Sequence, residues 1–139
     1  MATIGAHGPA SVLADRRAVL RASTTLTASY VASTNSVNVT GRDVAHIHIA
    51  WVKGDETSME VIVEVSSDNG TTYDEIGFTA VPTAGVTVVS DTVLQFATAS
   101  NTGTNIRVAL DKNFHLLRTS EKATAGTPTG TRVVLVTVN

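Results

Sequence analysis

Two histidines separated by a single residue have a spacing that could supply two ligands of a metal site. His46 and His48 both belong to an alternating stretch, and alternate residues of a β-strand project from the same face. Paired imidazoles can bind zinc or copper, but a site needs a third and a fourth ligand. The other histidines, His7 and His115, do not complete a metal-binding motif. We therefore interpret His46 and His48 as the polar outer face of a strand, or as a subunit contact whose charge responds to pH.

Two groups of carboxylates could bind calcium or perform acid–base chemistry. The run Asp68-Asn69-Gly70 resembles part of a calcium loop, but it lacks the further oxygen ligands that such a loop requires. A hairpin turn is the simpler interpretation, because Asn-Gly accommodates positive φ. Glu60 and Glu64 share a strand face and could act as an acid–base pair on a sugar. The sequence supplies neither a cleft nor an aromatic platform beside them.

The single tryptophan, Trp51, is in register with Ile47 and Ile49. This position favours a place in the core over a role in stacking on a sugar. No serine lies in a nucleophile-elbow sequence, and no glycine-rich phosphate loop precedes a helix. We therefore expect no enzymatic activity, no catalytic residue, no bound metal and no cofactor.

Composition limits the class of partner. The chain has 139 residues, a formal charge of -2 and no cysteine, so we expect one domain without disulfides. No clustered basic field or apolar run of about 20 residues is present, so we expect neither nucleic acid nor a membrane as a partner. Charged residues make up 16% of the chain, which fits a surface partly covered by other proteins.

The stretch from Val44 to Tyr73 contains the clearest strand signals. Period-two alternation puts one set of apolar residues on each of two inward faces, namely Ile47, Ile49 and Trp51, then Met59, Val61, Val63 and Val65. The connector between them, residues 53–58, contains no apolar residue, so we expect it to be solvated. Together these features predict a β-hairpin.

The rest of the chain alternates in the same way between turn signals. We predict eight to ten short strands, including residues 19–31 with a break near Thr25, residues 73–80 and residues 114–120. Ser100 to Gly103 is predicted to be a turn, and residues 123–130 a loop. The last strand, residues 132–138, is apolar on both faces, which indicates a central or interface strand. This pattern predicts an all-β fold, an antiparallel β-sandwich that is jelly-roll-like.

The amino-terminal residues have a different character from the sandwich. Residues 1–17 show no clean period, so we predict an extended arm before a domain that spans residues 18–139. Residues 15–21 could form a helical turn or lead into the first strand. In the helical alternative Arg16, Arg17 and Arg21 lie on the polar side. We predict that these arginines, with His46 and His48, contact a partner protein or another subunit.

The turns and the strands between them resemble a known group of proteins. Residues 53–58 (Lys-Gly-Asp-Glu-Thr-Ser), a strand beginning Met-Glu-Val, and residues 67–73 (Ser-Asp-Asn-Gly-Thr-Thr-Tyr) resemble small β-sandwich virion proteins of tailed bacteriophages. Residues 105–108 (Asn-Ile-Arg-Val) and 114–118 (Phe-His-Leu-Leu-Arg), a Gly/Thr-rich loop and a valine-rich final strand are similar to the ending of those proteins. The resemblance extends over roughly Tyr30 to Val138.

This resemblance implies a function without a catalytic residue. It implies a capsid decoration or cement protein, made in the host cytoplasm, that binds the major capsid protein on the outer surface of the phage head and stabilises the head. It also implies a homo-oligomer, with a trimer favoured. The alternatives are a virion protein associated with the tail, collar or fibre, and a carbohydrate-binding module.

Overall fold

The computed structural model describes residues 12–13, 17–81, 83–97 and 102–139. All thirteen regular elements in these ranges are β-strands, which favour the branched residues that dominate the chain. They are β1 (Val12–Leu13), β2 (Arg17–Thr25), β3 (Val31–Ala32), β4 (Ser36–Asn38), β5 (Val44–Val52), β6 (Ser58–Ser66), β7 (Asp74–Ile76), β8 (Thr79–Ala80), β9 (Val86–Ser90), β10 (Val93–Phe96), β11 (Thr102–Ala109), β12 (Leu116–Thr124) and β13 (Thr131–Val138).

The strands form two sheets that pack face to face. Sheet A has eight strands in the order β1-β4-β12-β6-β10-β9, with β3 beside β12 and β7 beside β6. Sheet B has five strands in the order β2-β13-β5-β11-β8. The pairings are antiparallel except for the short parallel contact of β1 with β4. The predicted antiparallel β-sandwich is therefore confirmed, while the jelly-roll topology stays a prediction.

The core lies between the inward faces of the two sheets. Sheet B contributes Ile47, Ile49, Trp51, Ile106, Val108, Val134 and Val136, and sheet A contributes Met59, Val61, Val63, Leu94, Phe96 and Leu117, all of them buried. The Trp51 ring meets the Phe96 ring edge-on, with centroids 6.4 Å apart. Both predicted inward faces and the core position of Trp51 are therefore confirmed.

The predicted hairpin between Val44 and Tyr73 is wrong. β5 pairs with β11 and β13 in sheet B, whereas β6 pairs with β12, β10 and β7 in sheet A. The two strands therefore face each other across the core and share no ladder. Alternation reports that one face of a strand is buried, but it does not report which strand lies alongside.

The predicted solvation of the connector 53–58 is also wrong at two positions. Glu56 is fully buried, and Ser58 is 4% exposed as the first residue of β6. A polar residue can be buried at little cost when its hydrogen bonds are satisfied inside the protein. The connector is therefore part of the structural framework that closes this end of the sandwich.

Several predicted boundaries shift, and the number of strands exceeds the predicted eight to ten. Residues 73–80 are divided between β7 in sheet A and β8 in sheet B, so they do not form one strand. Thr102 and Gly103 belong to β11, and the remainder of the predicted turn at 100–103 lies outside the described residues. β12 extends to Thr124, which shortens the predicted loop at 123–130. Alternation alone does not show whether the chain stays in one sheet after a bend or passes into the other sheet.

Other predictions are confirmed. The first long strand ends at Thr25, and β13 is central because it lies between β2 and β5. Most of the predicted arm lies outside the described residues. Within it, Val12–Leu13 pairs with Ser36–Val37 of β4. The alternative of a helical turn fails from Arg17 onward, because β2 begins at that residue.

Candidate functional site

The two histidines lie on the outer face of sheet B. Alternation along β5 buries Ala45, Ile47 and Ile49, so His46 and His48 point outward and are exposed. His48 Nδ1 is 2.9 Å from Asn105 Oδ1 on the neighbouring strand β11. The prediction of a polar outer strand face is confirmed, and the role of these histidines as contacts stays a prediction.

The outer face of sheet B has a defined order of side chains across its strands. Val19 of β2, Leu135 of β13, His48 and Asn105 form one cross-strand row, as the residue register shows. Thr137, His46 and Arg107 form the next row. An open depression of about 520 Å³ lies over these rows and is lined by both histidines.

The surroundings of the histidines do not supply further metal ligands. Within the described ranges, no three His, Asp or Glu side chains converge on a point where they could hold a metal ion. The groups across the strands from His46 are Arg107 and Thr137. A guanidinium and a hydroxyl are poor ligands for zinc.

The prediction that Arg21 lies at the surface is wrong. Its side chain points inward from β2 and is 6% exposed, and its Nε lies 3.2 Å from Glu121 Oε1. The prediction assigned it to a polar side, but the β2–β13 register shifts between Leu135 and Val134, and this interruption of the alternation puts Arg21 opposite the inward-facing Val134. It is therefore unsuited to contact a partner. Arg16 lies outside the described residues, as does the side chain of Arg17.

Arg21 is part of a buried charge cluster that joins the two sheets. Glu121 projects inward from β12, and Arg132 projects inward from β13 with its Nε 2.9 Å from Glu121 Oε1. Arg132 Nη1 also donates to the carbonyls of Thr24 and Thr25. Burial, followed by repulsion from Arg132, lowers the pKa of Arg21. We call Arg21, Glu121 and Arg132 the buried charge triad. The sequence analysis missed it, although Glu121 occupies an inward position between Thr119 and Ala123.

Glu56 is held by four hydrogen bonds that span the closed end of the sandwich. Trp51 Nε1 and the Gly54 N–H donate to Oε2, each at 2.9 Å. The N–H groups of Thr129 and Gly130 donate to Oε1 at 3.0 and 2.7 Å. Burial on its own raises the pKa of this carboxyl, but the backbone donors together outweigh it and hold the pKa at about 2. Glu56 therefore ties the β5–β6 connector to the β12–β13 loop.

Glycine is required where these two segments meet. A Cβ atom at Gly130 would overlap Glu56 Oε2 and would lie 2.7 Å from the Val52 carbonyl oxygen. A Cβ atom at Gly54 would lie 2.6 Å from the carbonyl carbon of Thr129. Both positions permit the close backbone approach that brings the four donors to one carboxylate. We call Glu56 with its four donors the Glu56 clamp.

The carboxylates considered for acid–base chemistry are ion-paired on the outer face of sheet A. Glu64 Oε1 accepts from Arg118 Nε at 3.1 Å, and Glu60 Oε1 lies 3.7 Å from Lys122 Nζ. Tyr30 donates its hydroxyl to Glu60, and burial, followed by the charge of Glu60, raises the pKa of that tyrosine. These contacts tie both carboxylates to cross-strand partners, as in other paired sheet surfaces.

Asp68 forms the predicted turn. It accepts hydrogen bonds from the Thr72 hydroxyl at 2.6 Å, the Thr72 N–H at 2.9 Å and the Ser66 hydroxyl at 2.7 Å. These bonds, that of the Thr72 hydroxyl first, lower the pKa of Asp68 to about 2. Asn69 and Gly70 both have positive φ, at 59° and 94°. The hairpin interpretation is therefore confirmed: the turn links β6 to β7, and its own donors occupy the carboxylate.

Charge is divided unequally between the two sheets. The described strands of sheet B contain no Asp or Glu, but they contain Arg17, Arg21, His46, His48, Arg107 and Arg132. The strands of sheet A contain Glu60, Glu64, Asp74, Glu75, Arg118, Glu121 and Lys122. Arg21 and Arg132 are buried, so Arg107 is the exposed arginine among the described side chains on the outer face of sheet B, whereas sheet A has exposed carboxylates at Asp74 and Glu75.

Comparison with known proteins shows a shared fold. No protein-family model and no curated protein sequence matches the chain. Among solved structures, the chain is similar to the SPBc2 prophage-derived protein YomS, with a TM-score of 0.52 and 13% identity over 88% of this chain and 91% of that chain. At that identity the likeness indicates the fold alone.

Two further solved structures are more distant. A structure of Bacillus endospore appendages, which form disulfide-linked pili, has a TM-score of 0.43 and 12% identity, covering 88% of this chain and 86% of that one. The structure of black queen cell virus has a TM-score of 0.45 and 12% identity, covering 88% and 67%. These two similarities are too weak to support an argument. The described residues also contain no helix with the length and apolar character needed to cross a membrane.

Proposed function

We propose that this chain is a non-enzymatic virion structural protein of a tailed bacteriophage. In this proposal it is a capsid decoration or cement protein that binds the major capsid protein on the outer surface of the head and stabilises the shell. The observation that carries the proposal is the structural role of the two turns on which the resemblance to phage virion proteins rests. The first contains Gly54 and Glu56 of the Glu56 clamp, and the second contains the positive-φ pair at Asn69 and Gly70.

The fold is consistent with that assignment. An antiparallel sandwich of the kind found in YomS, a prophage-derived protein, agrees with the architecture that the resemblance implies. The motif residues are the ones that fix the connections between strands, so a related sandwich would need the same residues at the same places. The resemblance therefore has a physical basis in backbone geometry.

The hydrogen bonding of two carboxylates, Glu56 and Asp68, supports a binding role over a catalytic one. Glu56 and Asp68 have lowered pKa values, which often marks an active site. Here the lowering arises from hydrogen bonds within the fold, which engage both oxygens of each carboxylate. Neither carboxylate is poised to take a proton from a substrate.

In the proposed assembly the protein acts as a symmetric oligomer, with a trimer favoured. Each copy makes a modest contact, and repetition by symmetry converts modest contacts into high avidity. The arm, residues 1–17, supplies a second contact through Arg16 and Arg17. This arrangement would resist loss of a capsomer from the shell.

The carbohydrate-binding alternative loses its main support. Trp51, the tryptophan that could stack on a sugar, is 1% exposed and donates its indole N–H to Glu56. Association with the tail, collar or fibre is the remaining alternative, and it differs from the proposal only in its location on the particle.

Labelling of intact particles tests the proposal and this alternative together. Antibodies raised against the purified chain would be applied to particles of the phage or prophage that encodes it, followed by gold-labelled electron microscopy. We expect gold over the head, and we expect particles that lack the chain to release DNA at a lower temperature. Gold confined to the tail would support the alternative, and particles without any gold would overturn the virion assignment.

A further inference from the structure

We infer that the outer face of sheet B is a docking surface for a protein partner that presents carboxylates around an apolar patch. Under the proposed function, on which this identification of the partner rests, that partner is the capsid shell. The surface consists of outward residues of β2, β13, β5 and β11, centred on Leu135, His46, His48 and Arg107. Four steps lead to this inference.

The first step is the exposed apolar area. Val19, Leu135 and Val52 remain 43%, 41% and 49% exposed on this face. Val19 and Leu135 are direct cross-strand neighbours, and Leu135 is in turn opposite His48. Val19 and Leu135 form the apolar strip beside His48, while Val52 lies farther along β5, opposite Thr131. Apolar side chains clustered in this way on a flat sheet gain free energy when a partner removes them from water.

The second step is the charge of the same face. His46 lies opposite Arg107 on β11 and opposite Thr137 on β13. His48 lies opposite Asn105 and Leu135. Since the described strands of sheet B contain no carboxylate, the cross-strand neighbours of Arg107 and of the two histidines supply no counter-charge. A carboxylate on the partner would supply that counter-charge.

The third step is the contrast with the opposite face. On sheet A, Glu60 and Glu64 are paired with Lys122 and Arg118 of the same chain. These charges are largely satisfied internally, so they offer a partner little net attraction. Sheet A also has the exposed carboxylates Asp74 and Glu75, whereas the exposed arginine of sheet B is Arg107 among the described side chains. This division orients the molecule toward an acidic surface.

The fourth step uses the charge and the apolar area of this face to exclude a second copy and nucleic acid as the partner. A second copy docked through the same face would bring Arg107 and the histidines of both copies together without an opposing carboxylate. Nucleic acid would require a denser set of permanent cations than Arg107 provides on this face among the described side chains, and it would gain little from the apolar strip. An acidic protein surface satisfies both the charge and the apolar area.

The experiment compares three variants by their incorporation into particles. Leu135→Asp puts a carboxylate on the apolar strip, and Arg107→Glu reverses the permanent charge. Val89→Asp is the matched control, because Val89 is 54% exposed on β9 of sheet A. Quantitative immunoblots of purified particles would give the copy number of each variant. Circular dichroism melting would establish that each one is folded.

We expect Leu135→Asp and Arg107→Glu to lower particle occupancy by about tenfold or more, and Val89→Asp to retain the wild-type value. Arg107→Glu is an exposed polar exchange, so it tests the face even where Leu135→Asp fails to fold. Equal occupancy for folded Arg107→Glu and the wild type would overturn the inference. So would a larger loss for Val89→Asp than for either sheet B variant.

A second measurement tests directly whether the outer face of sheet B is covered in the particle. Diethyl pyrocarbonate would be reacted with free protein and with particles, and modification of His46 and His48 quantified by mass spectrometry. We expect both histidines to be protected in the particle, because a partner docked on this face would cover them. Equal reactivity in both states would contradict the inference.

The outcomes separate this inference from the proposed function. If the chain occupies tails and the variant pattern holds, the head assignment fails while the docking face stands. If the chain occupies heads and the variant pattern is absent, the function stands and the face is wrong. Concentration-dependent dimers abolished by Arg107→Glu would identify a second copy as the occupant, and salt-sensitive retention of duplex DNA lost in that variant would identify nucleic acid. Either result would overturn the inference.

Discussion

Glu56 is the residue whose role differs most from its appearance in the sequence. In the run Lys-Gly-Asp-Glu-Thr-Ser it reads as one of several solvated turn residues. In the structure it is fully buried and accepts four hydrogen bonds from two segments that are far apart in sequence. A buried carboxylate is stable only when its charge is matched by such donors.

The lowered pKa of Glu56 makes stability depend on pH in a predictable direction. Its folded-state pKa is about 2, below the ordinary 4.5, so the folded protein holds the ionised form more tightly than the unfolded chain does. This contribution is fully present above about pH 4.5 and is lost as the pH falls toward 2. The shift corresponds to roughly 3 kcal/mol of unfolding free energy.

Glu56→Gln tests this account. The amide keeps one acceptor oxygen but turns an NH₂ group toward two of the donors, so we expect a loss of about 3 kcal/mol at neutral pH. The difference from the wild type should shrink between pH 4.5 and 2 in urea unfolding series. Glu64→Gln, at a half-buried surface ion pair, is the matched control and should cost about 1 kcal/mol or less. Equal stability of Glu56→Gln and the wild type at neutral pH would contradict the clamp.

Gly130 is the steric counterpart of Glu56. Gly130→Ala would put a methyl group against the Glu56 carboxylate and the Val52 carbonyl, and we expect a loss of about 2–3 kcal/mol. Gly77→Ala is the control, because its nearest neighbour would be the Asp91 carbonyl oxygen at 3.4 Å. Thermal melting of both variants measures the difference. Similar melting temperatures would show that the connector can move away from the loop.

At the scale of elements, the two sheets are joined by more than apolar contacts. The buried charge triad links β2 and β13 of sheet B to β12 of sheet A through one carboxylate. Two guanidinium groups share that carboxylate, so its removal would leave two buried positive charges without a counter-charge. A pair of this kind contributes less to net stability than its removal costs, because desolvation offsets the attraction.

Glu121→Gln should therefore be strongly destabilising, by about 3–5 kcal/mol in denaturant unfolding. The triple variant Arg21→Met, Glu121→Leu and Arg132→Met removes all three charges together and should recover most of that loss. Recovery would assign the cost to uncompensated charge. A triple variant as unstable as Glu121→Gln alone would instead indicate that the bonds from Arg132 to the Thr24 and Thr25 carbonyls dominate.

At the scale of the whole molecule, the sandwich is a single cooperative structure with two chemically different outer faces. The Trp51 and Phe96 rings meet between the sheets, and the Glu56 clamp holds the chain at the point where it crosses from sheet B to sheet A. Separation of the sheets would expose Trp51 and break the clamp at once. We therefore expect loss of tertiary packing and loss of sheet structure to coincide.

Fluorescence of the single tryptophan tests this cooperativity. Emission should be blue-shifted in the native protein, because Trp51 is 1% exposed, and should shift to the red at the same urea concentration at which the far-ultraviolet signal is lost. Coincident midpoints are expected. Separate midpoints would show that one sheet persists after the other has opened. Trp51→Phe keeps an apolar ring but removes the donor to Glu56 together with the fluorophore, so its far-ultraviolet midpoint should lie below that of the wild type.

The sequence alone determined the faces of individual strands. Alternation identified the inward residues of β5 and β6, the outward position of His46 and His48, and the all-β class. The Asn69-Gly70 pair identified its turn, because positive φ is a property of local backbone chemistry. These features are local, so a few neighbouring residues are enough to specify them.

The tertiary structure alone decided which strands pair and which polar residues are buried. β5 and β6 are adjacent in sequence but lie in opposite sheets, because each buries its apolar face against the other across the core. Arg21 and Glu56 resemble surface residues until Glu121 and the N–H groups of Thr129 and Gly130 are brought to them. Strand pairing and the burial of charge depend on contacts between residues distant in sequence, so the alternation pattern predicts neither of them. The same pairing brings His46 of β5 beside Arg107 of β11 on the outer face of sheet B, which no single strand displays.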